Sequence, residues 1–137
     1  MTYRFLPHTA DLLVELEAAT LGELLEEATE VTRSLLVGGT TVTSTHGTAV
    51  RLTACGAAEL LHHYVRELLA EFQLHSFVPA RLDARRVSPT RLDGVVYGEH
   101  FDEKKHETQP EVKAVTRHEL RVEQTACGWW ATMVLDL

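Results

Sequence analysis

Residues 11–39, DLLVELEAATLGELLEEATEVTRSLLVGG, change period partway along, and that change decides the fold class. In 11–17 the apolar Leu12, Val14 and Leu16 alternate with other positions, among them the polar Glu15 and Glu17. Leu13 breaks the alternation only mildly. Successive side chains of a strand point to opposite faces, so this stretch reads as a half-buried strand with Asp11 at its mouth. From Thr20 onward the period lengthens. Leu21, Leu24, Leu25, Ala28, Val31 and Leu35 recur at helical spacing and leave Glu23, Glu26, Glu27 and Glu30 on or near the wet side. Thr20 lies three residues before Glu23, the spacing of a capping box. Gly38-Gly39 ends the helix, because glycine tolerates the left-handed cap.

Outward from this stretch, residues 2–6 read as a short strand stopped by Pro7, which cannot donate to a ladder. His8-Thr9-Ala10 forms a link. On the other side, 40–47 are rich in Thr and Ser, with a turn at His46-Gly47. Residues 48–54 alternate through Val50, Leu52 and Ala54 and predict a strand. A second helix spans about 57–74, with a broad apolar stripe of Leu60, Leu61, Tyr64, Val65, Leu68, Leu69 and Phe72. Two strands, 77–87 and 91–98, pair across Ser88-Pro89-Thr90. Residues 99–110 are polar and hold no clear element. Strands over 111–122 and 129–135 are joined by a bend at Cys127-Gly128. The order β-β-α-β-α followed by several strands predicts one α+β domain over residues 1–137, with two helices packed on a mixed or mostly antiparallel sheet.

A chain of 137 residues can remove roughly two-thirds of its unfolded surface from water, so it needs no disulfide or metal staple. The net charge is −7, from 13 basic and 20 acidic residues. Gripping RNA phosphates takes clustered Lys and Arg, so the balance argues against tight direct nucleic-acid binding. It favours basic protein partners or metal cations. Arg4 and His8 interrupt the first apolar residues, so no signal peptide is expected. No apolar run approaches the roughly 20 residues that span a membrane. Cys55 and Cys127 share no metal-ligand spacing, and a reducing cytoplasmic setting with free thiols is the simple reading. A Cys55–Cys127 bridge is the alternative.

Three distant regions carry polar groups suited to chemistry: His8-Thr9-Ala10-Asp11, the span from Gly98-Glu99 through His106 to Val112–His118, and Leu135-Asp136-Leu137. If the strands led by Asp11 and ended by Asp136 are antiparallel neighbours, both aspartates and the α-carboxylate of Leu137 converge at one sheet end. Like charges so close need a cation or a basic side chain. Hard oxygen donors suit Ca²⁺ or Mg²⁺ rather than Zn²⁺. Lys113 could reach the same place. The bland reading stands beside this one: Asp11 making an Asx turn and Asp136 an ordinary solvated residue. His62 and His63, adjacent on a helix, should face different ways, lie at the surface or partly packed, and not chelate one metal as a pair. His46 and His75 sit near element ends. His100 and His106 fall in a polar loop, where general-base work is conceivable. No Gly-rich phosphate loop, GxSxG or HExxH is present.

His8-Thr9-Ala10-Asp11 before an alternating strand and a capped helix resembles the first signature of the archease family. Gly98-Glu99, His106 and Val112-Lys113-Ala114-Val115-Thr116 with His118 look like its second, and Trp130 with Val134–Leu137 is similar to its third. The blocks occur in the family's order along nearly the whole chain. The resemblance implies a protein that is not itself an enzyme. It would assist an RtcB-type tRNA-splicing RNA ligase, promoting the ligase's guanylylation and multiple turnover. RNA would be met only through the ligase. It implies a divalent metal, calcium first with Mg²⁺ or Mn²⁺ as alternatives, held by Asp11, Asp136 and Leu137. It also implies a functional role for Lys113. A chaperone-like binding module with a purely structural metal is the competing expectation. A small hydrolase using Asp11, His8 and Lys113 is a third, without an activated nucleophile to support it. Arg117 departs from the pattern, standing where the family usually has an aromatic residue.

Overall fold

The computed structural model describes residues 2–6, 11–107, 109 and 111–137. Its elements follow the sequence order β1 (Thr2–Leu6), β2 (Asp11–Ala18), α1 (Leu21–Val37), β3 (His46–Thr53), α2 (Ala57–His75), β4 (Phe77–Ser88), β5 (Arg91–His100), β6 (Ala114–Thr125) and β7 (Gly128–Asp136). The α+β class and the two helices agree with the sequence reading. The strands divide into two sheets, ordered β1-β2-β7-β6 and β3-β5-β4, and every pairing is antiparallel. His46 and Gly47 do not turn. They begin β3, opposite Gly98 and Tyr97.

The helices start and stop for local reasons. The Thr20 side chain accepts the Glu23 backbone N–H at 3.1 Å, which satisfies one of the orphan donors of the first turn. Gly38 closes α1 with φ 64°. Ser76 closes α2 in the left-handed region, and its N–H reaches back to the Phe72 carbonyl at 2.9 Å.

Each helix touches both sheets. α1 packs on β4 of one sheet and on β2 of the other, and α2 on β6 and β4. One continuous core results, with Val14, Leu16, Leu24, Leu25, Leu60, Leu61, Val96, Met133 and Leu135 at 1% exposure or less. The helices meet through a buried hydroxyl pair, Thr29 Oγ1 and Tyr64 Oη at 2.6 Å. Contact on both sides corrects one expectation. Glu27 is buried, not part of a solvated face, and its Oε2 has no hydrogen-bond partner. Burial, then the neighbouring Glu30, pushes its carboxyl up.

Bulges shape the sheet edges. Edge strand β4 takes Pro79 where no ladder donor is needed. It shifts register between Pro79 and Arg81, and the Ala80 carbonyl in the bulge accepts Arg33 Nη1 of α1 at 2.8 Å. Beside it Gly98 has no room for a side chain, since a Cβ there would lie 2.0 Å from the Val78 carbonyl oxygen. Another irregularity falls in β6 between Thr116 and Arg121, with Glu119 at φ 52°. It carries Arg117 and His118 out of the regular ladder.

Candidate functional site

β2 and β7 pair over eight rungs, from Asp11 opposite Asp136 to Ala18 opposite Trp129. The core sets this register. Val14 faces Met133 and Leu16 faces Ala131, all fully buried. A slip of one residue would turn every one of them to the outer face. Apolar burial within the ladder therefore holds two carboxylates opposite each other at its end. Directly opposed residues have Cα atoms about 4.5–5.5 Å apart. The aspartates share the outer face with the pairs Leu13–Val134 and Glu15–Thr132. Both are partly exposed, and Leu137 beyond them is exposed. The antiparallel adjacency on which convergence depended is thus present.

Lys113 reaches the same end through its backbone. Its N–H donates to the Asp136 carbonyl at 2.8 Å, and its side chain is exposed. Gln73 of α2 ties this segment down, with Nε2 donating to the Val112 and Lys113 carbonyls at 3.3 and 3.4 Å. Asp11, Asp136 and Lys113 are therefore brought to one rim. The donors there are carboxylate and carbonyl oxygens, a set that fits a hard divalent cation. His8, Thr9 and Ala10 of the first block lie outside the described residues.

The Gly98–His106 stretch forms a second cluster. The carboxylate of Glu99, 9% exposed, accepts the Thr43 backbone N–H. It also accepts the Thr43 hydroxyl at 2.7 Å and Lys105 Nζ at 2.7 and 2.9 Å. Burial pushes this carboxyl up. The Lys105 ammonium and the two Thr43 donors outweigh burial together and hold it at about 2. His106 is buried, not a loop residue open to solvent. Its Nδ1 accepts the Asp102 N–H at 2.9 Å, its ring stacks on Phe101, and its Nε2 lies 3.5 Å from Glu99. Nε2 makes no hydrogen bond, but the side chain is fully buried and Nδ1 is already engaged, which removes the general-base reading. The cluster instead pins the loop that leads to Lys113. No spacing rule marks Glu99 as its hub, because Thr43 approaches from a distant segment.

The histidine pair is also corrected. His62 is buried, and Glu59, His62 and His63 bring one ligand atom each to within 4.8 Å of one another. The rings lean together, with centroids 6.0 Å apart. Glu59 precedes them by three and four residues and so lies on the same helical face as both. Arg117, delivered by the β6 bulge, grips Glu59 with Nε–Oε1 at 3.0 Å and Nη2–Oε2 at 3.2 Å. Cys55 and Cys127 are free and exposed. Among the described residues no helix is long and apolar enough to cross a membrane.

A family model described as the Archease protein family (MTH1598/TM1083) matches residues 3–137. A protein archease of Sulfurisphaera tokodaii is 27% identical, with 98% of each chain covered. One of Methanosarcina acetivorans is 29% identical, over 98% of this chain and 95% of that one. The solution structure of Methanobacterium thermoautotrophicum protein 1598 superposes with TM-score 0.80 at 24% identity, covering 98% of both chains. The crystal structure from Thermotoga maritima described as an archease, possible chaperone, gives TM-score 0.67 at 21% identity, over 96% of this chain and 94% of that one. At these identities the two structures speak for the fold alone.

Proposed function

This chain belongs to the archease family, and from that premise we propose that it activates an RtcB-type RNA ligase and catalyses no reaction itself. The observation that supports this reading best is the pairing of Asp11 with Asp136 at the end of the β2–β7 ladder. Asp11, Asp136 and Leu137 would hold a divalent cation, calcium first, with magnesium or manganese as alternatives. Such a cation, when bound, offsets negative charge on phosphate oxygens. Lys113, anchored by its backbone to Asp136, has an exposed side chain at the same rim and orients a phosphate or a carboxylate there. The net charge of −7 suits docking on a basic ligase face, with RNA held by the ligase and not by this chain. The setting is cytoplasmic.

Ligation assayed under single and multiple turnover, with and without this chain, tests the proposal. The expected gain is mainly in multiple turnover, and Asp11→Ala, Asp136→Ala and Lys113→Ala each reduce it. Full stimulation by all three folded variants defeats it. The Thermotoga maritima relative is described as a possible chaperone, which favours a second reading, a binding module whose metal is structural. Chelation separates the two. Metal-stripped protein that stays folded and still stimulates means that the metal is not the active element.

A further inference from the structure

The first turns of α2 carry a group of side chains that the carboxylate rim does not use. His62 is 3% exposed, and its Nδ1 has no hydrogen-bond partner. A buried polar atom left without a partner is costly. A buried imidazole nitrogen that no protein group engages, beside two further donor side chains, has the arrangement of a metal ligand. Glu59 and His63 supply the neighbouring donors, with His63 Nε2 3.3 Å from Glu59 Oε2.

We infer that Glu59, His62 and His63 form a binding site for a divalent transition metal of the zinc class, distinct from the rim of Asp11 and Asp136. Two imidazoles and one carboxylate are a donor set for zinc and its neighbours, whereas calcium and magnesium take oxygen. Bonds of roughly 2.0–2.2 Å place tetrahedral donors about 3.4 Å apart. The Glu59–His63 spacing already meets this. The other spacings, all within 4.8 Å, close by small rotations of Glu59 and His63, which are only partly buried. Arg117 is the competitor. It holds both Glu59 oxygens, yet its side chain is 59% exposed, so the guanidinium can swing into solvent when a cation arrives.

Cobalt(II) is the probe, titrated into the metal-free full chain with calcium in excess to occupy any oxygen-only site. The expected result is one bound cobalt with the visible absorption of a four-coordinate ion. Glu59→Gln and His63→Ala, both at partly exposed positions, should weaken it about tenfold or more. Arg117→Ala should tighten it several-fold, and Asp136→Asn should leave it unchanged. Circular dichroism confirms that each variant is folded. Zinc added to the ¹⁵N-labelled chain should shift the Nδ1 resonance of His62. Absence of the visible band, an unchanged isotherm for Glu59→Gln and His63→Ala, or loss of the band in Asp136→Asn overturns the inference. None of these outcomes bears on stimulation of the ligase, which is tested at the other site.

Discussion

Replacing Glu99 with Gln should destabilise the protein at neutral pH and lose most of that effect in acid. In the fold this carboxyl is held at about 2, against an ordinary 4.5. That gap corresponds to about 3 kcal/mol of preference for the ionised, clasped state. Lys105 is 40% exposed, so solvent screens part of the interaction and about 2 kcal/mol is the working figure. The sign follows from a folded value below the unfolded one. The contribution is complete above about pH 4.5 and fades as pH falls toward 2. Urea unfolding of both proteins at intervals from pH 2 to pH 7 gives the difference curve. It should stand near 2 kcal/mol at pH 7 and shrink steadily below pH 4.5. A difference that is flat across this range, or under about 0.5 kcal/mol at pH 7, would show that the clasp of Thr43 and Lys105 does not stabilise the ionised carboxylate.

Tyr64→Phe should cost about 1–2 kcal/mol in chemical denaturation, since Thr29 Oγ1 keeps its bond to the Leu25 carbonyl at 2.9 Å and loses only one of two partners. Gly98→Ala should lower the melting temperature by several degrees or prevent folding, because its Cβ would press on the Val78 carbonyl and β4 would have to part from β5. Asp136→Asn should abolish any calcium-dependent rise in melting temperature. Without calcium it should match or slightly exceed the parent, because one of two opposed carboxylates loses its charge. A calcium response that survives this change would place the ion elsewhere.

The elements were legible where one local signal dominated. Thr20 and Glu23 marked the start of α1, the apolar stripe of 57–74 marked α2, and alternation marked β2. The division into two sheets was not legible, because pairing joins segments far apart in the chain and alternation names no partner. Glu27 and His62 were misjudged for a shared reason. Helical periodicity predicts one buried stripe, while these helices touch both sheets and bury more than a stripe. The adjacency of Asp11 and Asp136 could be stated only as a condition on strand pairing, and the ladder meets that condition. The Glu59–Arg117 pair was beyond reach, since it depends on a bulge that ordinary alternation in β6 conceals.

The β2–β7 ladder also bears on how the molecule is made. Its two strands stand at opposite ends of the described chain, and β7 lies inside its sheet, between β2 and β6. While the polypeptide is being synthesised, β2 has no inner neighbour until β7 has left the ribosome. The apolar side of that strand must wait, exposed or loosely covered by α1, for β7 to arrive. Nonsense or frameshift mutations that remove β7 should therefore yield aggregating products, not shortened soluble ones.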